Sequence, residues 1–414
     1  MLQNSRVKIY IPRFLEEKIT RYLEAPEIIA VLGARQVGKT TLLKRLYERV
    51  PGPKIFLDFE DPEVLVLFEE DIKAFAKLYV EGKRFIFIDE FQYSRNGGQK
   101  LKFLFDHYEA KFFISGSSSL EISLKTVSFL VGRIFVFELY PFSFEEILRT
   151  KEPKLFELFS EGTPLTPSLH ERCLQIFEEY CLYGGYPRVV LARNNEEKQE
   201  VLKNILTTYL LKDIRGFFRL ATENHLQKLI RGLALQVGNL IRYQELAQLA
   251  EFSVPALKKH LAILEETYII KLLKPFYTNR RLEIVKNPKV YFWDLGLRNY
   301  LARDFRPLSQ RPDKGALVEN AVAVELLKKG LETKYWRSKS RAEVDFVIQD
   351  REPLPVEVKT GVAKSPGKSL LSFLKRYASK RAFILHRGQA STETRQKTEI
   401  SYLPWYRTGK IKPL

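Results

Sequence analysis

The chain has 414 residues and a mass of 48.4 kDa, with 45% hydrophobic, 13% aromatic and 29% charged side chains. That length predicts about two to four domains with packed cores. Two cysteines, Cys173 and Cys181, exclude a disulfide scaffold and a zinc cluster built on CxxC pairs. The opening lacks the apolar core of a leader, and no run approaches the roughly 18 apolar residues that cross a bilayer, so a soluble, cytoplasmic protein without a membrane partner is expected.

The net charge of +18 is unevenly placed. Residues 1–230 are nearly neutral, whereas residues 231–414 hold 35 Lys and Arg against 18 Asp and Glu. A basic surplus confined to one half predicts a polyanion partner there, with DNA favoured over a bare solvated surface.

Up to about residue 150 the chain alternates short apolar runs (28–33, 54–59, 84–90 and 111–117) with helical stretches. This alternation predicts an α/β unit built on a parallel sheet. Residues 162–170, rich in Pro, Ser and Thr, read as a loop. Residues 171–220 read as mostly helical, broken at Gly184-Gly185-Tyr186-Pro187.

Gly33-Ala34-Arg35-Gln36-Val37-Gly38-Lys39-Thr40 fits GxxxxGK[ST] in full, after an apolar run and before the helical stretch that starts at Thr40-Thr41. Glycines let such a loop curl its N–H groups towards phosphates at a helix start, so ATP is the expected ligand of residues 33–41. Lys39 is assigned to the β- and γ-phosphates and the Thr40 hydroxyl to Mg²⁺. The strand 85–88 ends in Asp89-Glu90, where Asp89 is expected to hold Mg²⁺ through water and Glu90 to polarise the attacking water. Ser117 is the expected γ-phosphate sensor, with Ser115 as the rival.

The phrases PRFLEEKI, VLGARQVGKTTLL, FIDEFQ, ISGSSS, GR followed by FELYPFSFEE, and YGGYPRVV together resemble bacterial and archaeal AAA-type ATPases that carry a further C-terminal domain. The resemblance implies an ATP- and Mg²⁺-dependent hydrolase at residues 1–160 with a helical lid at 161–224. It also implies that Arg133 contacts the γ-phosphate, in cis or offered to a neighbouring subunit of a homo-oligomer, with a structural salt bridge as the alternative. Arg188 is a weaker second sensor.

Residues 225–304 read as a winged helix-turn-helix. The helix from Tyr243 and the helix from Val254, which carries Lys258, Lys259 and His260, are followed by two strands. Arg280, Arg281, Lys286 and Lys289 fall in the presumed wing. The wing either grips DNA or packs as a lid on the ATPase.

In residues 305–414, a loop (305–313) precedes an amphipathic helix with Glu319, three strands, a helix and a strand. With Asp345 twelve residues before Glu357-Val-Lys359, this order resembles the restriction-endonuclease-like nucleases. Val356 and Val358 are expected to point into the core, leaving Glu357 and Lys359 on the other face. The resemblance implies a Mg²⁺ site of Glu319, Asp345 and Glu357, with Lys359 stabilising charge on a phosphate. The alternative is a degenerate DNA-binding relic. Glu325 and Glu343 are spare acids.

Overall fold

The computed structural model describes residues 10–116, 129–162, 164–208 and 223–412. Two compact units are formed, one running to Tyr140 and the other from Pro141. Residues 141–160, expected with the ATPase core, therefore fold with the second unit. The physical reason is aromatic packing: Phe144 of the helix Phe144–Lys151 lies 5.4 Å from the ring of Phe177 and 6.2 Å from that of Tyr406.

The first unit is a parallel sheet of β1 (Ile28–Leu32), β2 (Lys54–Asp58), β3 (Phe85–Asp89), β4 (Lys111–Gly116) and β5 (Ile134–Glu138), in the order β2-β3-β4-β1-β5. The three central strands are buried along their whole length, as parallel strands covered on both faces must be. Phe87 of β3 stacks on Phe113 of β4 with centroids 4.3 Å apart. The edge strand β5 is only partly buried although its first four residues are apolar. Because all five strands run the same way, their C-terminal ends share one edge of the sheet. The loop after β1 and the Asp89-Glu90 pair after β3 meet there.

In the second unit, the helix Pro167–Tyr183 starts where a loop was expected. Thr166 accepts from Leu169 N–H and Pro167 occupies the first turn, a pairing that starts helices. Gly184 ends it at φ +73°, and a Cβ there would stand 2.3 Å from the Asp294 carboxylate. That carboxylate accepts from Gly185 N–H at 2.7 Å.

The helices Tyr243–Leu249 and Val254–Glu266 are followed by β6 (Ile270–Leu273) and β7 (Lys289–Phe292), which pair antiparallel. A helix not foreseen, Arg280–Val285, lies between them. Residues 305–313 contain a short 3₁₀ turn, Leu308–Gln310. They are pinned by buried Arg311, which bonds Asp313 at 2.8 Å.

The helix Lys314–Lys328 is buried around most of its circumference rather than on one stripe. Its Asn320 amide pairs with both backbone groups of Phe292, at 2.9 and 2.8 Å. A six-stranded mixed sheet follows, in the order β12-β13-β11-β10-β9-β8. It comprises β8 (Thr333–Arg337), β9 (Glu343–Ile348), β10 (Leu354–Val358), β11 (Arg381–His386), β12 (Ser391–Arg395) and β13 (Thr398–Pro404). The helix Lys368–Tyr377 crosses from β10 to its parallel neighbour β11, and its Phe373 packs edge-on against Trp336. No helix among the described residues is long and apolar enough to cross a membrane.

Candidate functional site

The loop from Gly33 to Gly38 folds as its composition dictates. A Cβ on Gly33 would stand 2.1 Å from the Leu139 carbonyl oxygen, and Gly38 sits at φ +100° as the cap of the helix Lys39–Arg49. Gln36 also adopts a left-handed backbone. Lys39, only 5% exposed, donates to the Gly33 and Ala34 carbonyls at 2.9 and 2.8 Å, so its ammonium is held within the loop. Thr40 is half-buried and Thr41 exposed on the first turn.

Sequence reasoning assigned no role to Arg13, the arginine of PRFLEEKI. It is buried and donates to the Val37 carbonyl at 2.9 Å and the Tyr140 carbonyl at 2.6 Å. The loop is thereby tied to the segment after β5. The motif's place in the resemblance was the only sequence signal for it.

At the end of β3, Asp89 is 2% exposed and accepts a hydrogen bond from the Ser115 hydroxyl. The Ser115 Oγ in turn accepts from Glu90 N–H at 3.3 Å. Glu90 stands at φ +53°, a left-handed conformation that costs a non-glycine residue about 1–3 kcal/mol. Its carboxylate accepts from the Gln92 amide. Burial, followed by the charge of Asp89, raises its pKa above the usual carboxylate value, while Gln92, Lys39 and Arg35 oppose the rise. A carboxylate moved up in this way is a better base. Ser115, the rival, thus stands beside the acidic pair, and Ser117 lies outside the described residues.

For Arg133 the structure bears on the cis reading alone. It immediately precedes β5, whose Ile134 pairs with Ile28, so it lies at the N-terminal edge of the sheet. Five residues of strand, about 17 Å, separate it from the loop edge. It pairs there with Asp106 at 2.9 Å, so contact with its own chain's γ-phosphate is excluded by the register. Arg188 is exposed at the start of the short helix Pro187–Val190.

The expected magnesium site of the second unit is not assembled as foreseen. Among the described residues no group of three or more His, Cys, Asp or Glu side chains is arranged to hold a metal ion. An ammonium stands among the acids instead. Lys289, expected on an exposed wing, is 3% exposed and contacts Glu319 at 3.0 Å and Glu343 at 2.6 Å. Tyr291 also donates to Glu319, at 2.6 Å.

Asp345 accepts from Val358 N–H at 2.7 Å, and its pKa is raised chiefly by burial and then by Glu319. Burial alone would lower the Lys289 pKa, but Glu319 and Glu343 overcome this and raise it. Lys359 is paired with Glu357 at 2.6 Å. Glu357 is itself only 4% exposed rather than on an open face, and its Oε2 is buried without a hydrogen-bond partner. Glu325 is structural, accepting from Tyr180 at 2.9 Å and Phe144 N–H at 3.2 Å.

Of the basic residues assigned to nucleic acid, Lys258, Lys259, Arg281 and Lys286 are exposed. His260 turns inward onto Phe252, with ring centroids 4.2 Å apart, and burial lowers its pKa.

The complete phosphate loop on β1, the acidic pair on β3 and the strand order define the first unit as an ATPase of the AAA type. Residues 25–148 match the AAA domain family, and the chain is an ATPase. Residues 174–308 and 314–406 match two domains of unknown function, DUF8612 and DUF4143.

Among relatives, an uncharacterised protein of Methanocaldococcus jannaschii is 26% identical over 431 residues, covering 97% of this chain and 89% of its own length. One of Haemophilus influenzae is 24% identical over 363 residues, covering 83% and 84%. Among solved structures, the Walker-type ATPase PABY2304 of Pyrococcus abyssi is similar with a TM-score of 0.47 and 19% identity, over 70% of this chain and 96% of that one. RuvB of Thermotoga maritima is similar with a TM-score of 0.32 and 13% identity, over 62% and 88%.

Proposed function

We propose that this ATPase is Mg²⁺-dependent and acts on DNA, its second unit gripping the duplex. In the first unit Lys39 and the loop N–H groups bind the triphosphate. Thr40 and Asp89 hold the metal, which neutralises phosphate charge when bound. Glu90 orients and polarises the attacking water. The buried Asp89, fixed by Ser115, and the raised pKa of Glu90 support these roles.

One observation carries the DNA assignment. Residues 358–392 contain eight Lys and Arg and no Asp or Glu, and Lys364, Lys368, Lys375 and Arg376 of this stretch are exposed on or beside the helix Lys368–Tyr377. Lys258 and Lys259 on Val254–Glu266, with Arg281 and Lys286 between β6 and β7, add further exposed cations. The helix pair followed by β6 and β7 supports a winged helix-turn-helix over 225–304. The order helix, three antiparallel strands, helix, strand over 314–386 supports the restriction-endonuclease-like assignment for 305–414.

Each phosphate contact releases condensed counterions, so affinity should fall steeply with salt. Fluorescence anisotropy of a labelled duplex across a salt series tests this. A slope of log affinity against log salt of about −4 or steeper is expected. A slope near zero, or no binding at physiological salt, rejects DNA as the partner. A second reading, binding without cleavage, is favoured by the ammonium of Lys289 among the C-terminal acids.

A further inference from the structure

Lys289 belongs to β7, whereas its partners come from elsewhere in the second unit: Glu319 from the helix Lys314–Lys328 and Glu343 from the start of β9. Asp345, two residues along β9, bears on the same ammonium electrostatically. Glu319, Asp345 and Glu357 are the acids that the restriction-endonuclease-like pattern would give to a divalent cation. Carboxylates crowded together and partly withdrawn from water, as Glu319, Glu343 and Asp345 are, need positive charge close by. In this chain that charge is already covalently present, brought in by the β6–β7 pair.

We infer that the Lys289 ammonium is the resident cation of this cluster, standing where the nuclease pattern would place a metal ion and making the C-terminal sheet a metal-free binding domain. Three observations converge on this. Lys289 contacts Glu319 of that set and the adjoining Glu343 within ion-pair distance while being almost wholly buried. Tyr291, on the same strand, hydrogen-bonds the Glu319 oxygen that Lys289 contacts, so Glu319 is oriented towards β7. Lys359, the lysine of the ExK pattern, is engaged by Glu357 rather than directed at an open site.

A lysine places a single positive charge on a fixed tether, with three donors and no vacant coordination position. It balances the acids but supplies neither a metal-bound water nor a Lewis acid. It also joins β7 to the C-terminal sheet. The inference rests on the restriction-endonuclease-like assignment only for the expectation that a metal belongs here.

The test compares the nucleotide-free full chain with its Lys289→Gln variant, reading thermal unfolding with and without millimolar Mn²⁺. In the variant, Glu319 and Asp345 lose the Lys289 charge, Glu343 keeps Arg337 at 3.7 Å, and Glu357 Oε2, buried without a hydrogen-bond partner as before, offers a further oxygen to an incoming cation. The wild-type midpoint should not move with Mn²⁺. The variant should gain roughly 5 °C or more, as ligand binding to the folded state alone would give. That gain should vanish when Asp345→Asn is added.

A wild-type Mn²⁺ shift abolished by Asp345→Asn overturns the inference, as does a folded Lys289→Gln variant indifferent to Mn²⁺. Should the variant not fold without metal, recovery of folded protein on adding Mn²⁺ supports the inference, and failure to recover counts against it. Calorimetric titration of Mn²⁺ into the wild type then provides an independent check: no Asp345-dependent binding is expected. Salt-dependent DNA binding by the wild type is measured separately, so failure of the DNA assignment would not be mistaken for failure of this one.

Discussion

The Ser115 hydroxyl, on β4, donates a hydrogen bond to the Asp89 carboxylate at the end of β3. It also accepts from the N–H of Glu90, the next residue. One side chain therefore orients both acids expected to serve hydrolysis.

Replacing Ser115 with Ala removes both bonds and leaves a buried N–H and carboxylate under-satisfied, a loss of about 1–3 kcal/mol. ATP turnover should fall by about tenfold or more while nucleotide affinity changes little. Separate measurement of kcat and nucleotide Kd checks this. A variant turning over at the wild-type rate would show that Ser115 does not position the pair.

Glu90→Gln should retain ATP binding and lose about 10²–10⁴ in kcat, the usual contribution of a positioned base. Lys39→Ala should instead abolish binding. Equal loss of affinity in both variants would argue against a base role for Glu90.

The raised pKa of Glu90 sets the direction of the pH dependence. The base role proposed for Glu90 requires the carboxylate, so the acidic limb of the kcat profile should lie above the ordinary Glu value of 4.5. The folded state holds the Glu90 proton more tightly than the unfolded chain does. This group's contribution to stability is therefore present below the unfolded pKa and lost as pH rises through the folded one. A kcat profile from pH 4 to 8 reads the limb, and an acidic limb at or below 4.5 would contradict the assignment.

Arg133→Ala should leave the ATPase rate of a dilute, monomeric preparation unchanged within about twofold, because Arg133 pairs with Asp106 at the far edge of the sheet. Stability should drop by no more than about 1 kcal/mol, as for other partly exposed ion pairs. A large rate loss under monomeric conditions would contradict the register that places it there.

Replacing Lys364 and Lys368 together with Ala should weaken duplex binding without sequence preference. The salt dependence should flatten by about one unit of slope for each phosphate no longer neutralised. Unaltered affinity would place the DNA surface elsewhere, with Lys258 and Lys259 the next pair to test.

What could be read from the residues was whatever is local. The four strands at 28–33, 54–59, 84–90 and 111–117 are continuous apolar runs, and the phosphate loop is a short motif with strict backbone demands. The hairpin strand β12, Ser391–Arg395, is polar and largely exposed, so it carries no apolar pattern, whereas the edge strand β5 is as apolar as the others in sequence although only partly buried.

Lys289 was misplaced for a different reason. A lone lysine in a hairpin reads as surface, and the acids that bury it lie 30 and 54 residues further along. Arg133 follows its motif faithfully, yet only the parallel pairing of β1 with β5 shows which end of the sheet it occupies. Arg13 was visible as a residue but not as a partner, since its contacts with Val37 and Tyr140 span 24 and 127 positions.

The most direct measurement is the steady-state Mg-ATPase rate of the full chain, titrated with duplex DNA at fixed low salt. A saturable rise in rate, absent from Lys39→Ala and reversed by added salt, is expected from a phosphate loop whose turnover responds to a DNA-gripping second unit. A rate that stays flat while anisotropy shows the duplex fully bound would contradict that coupling.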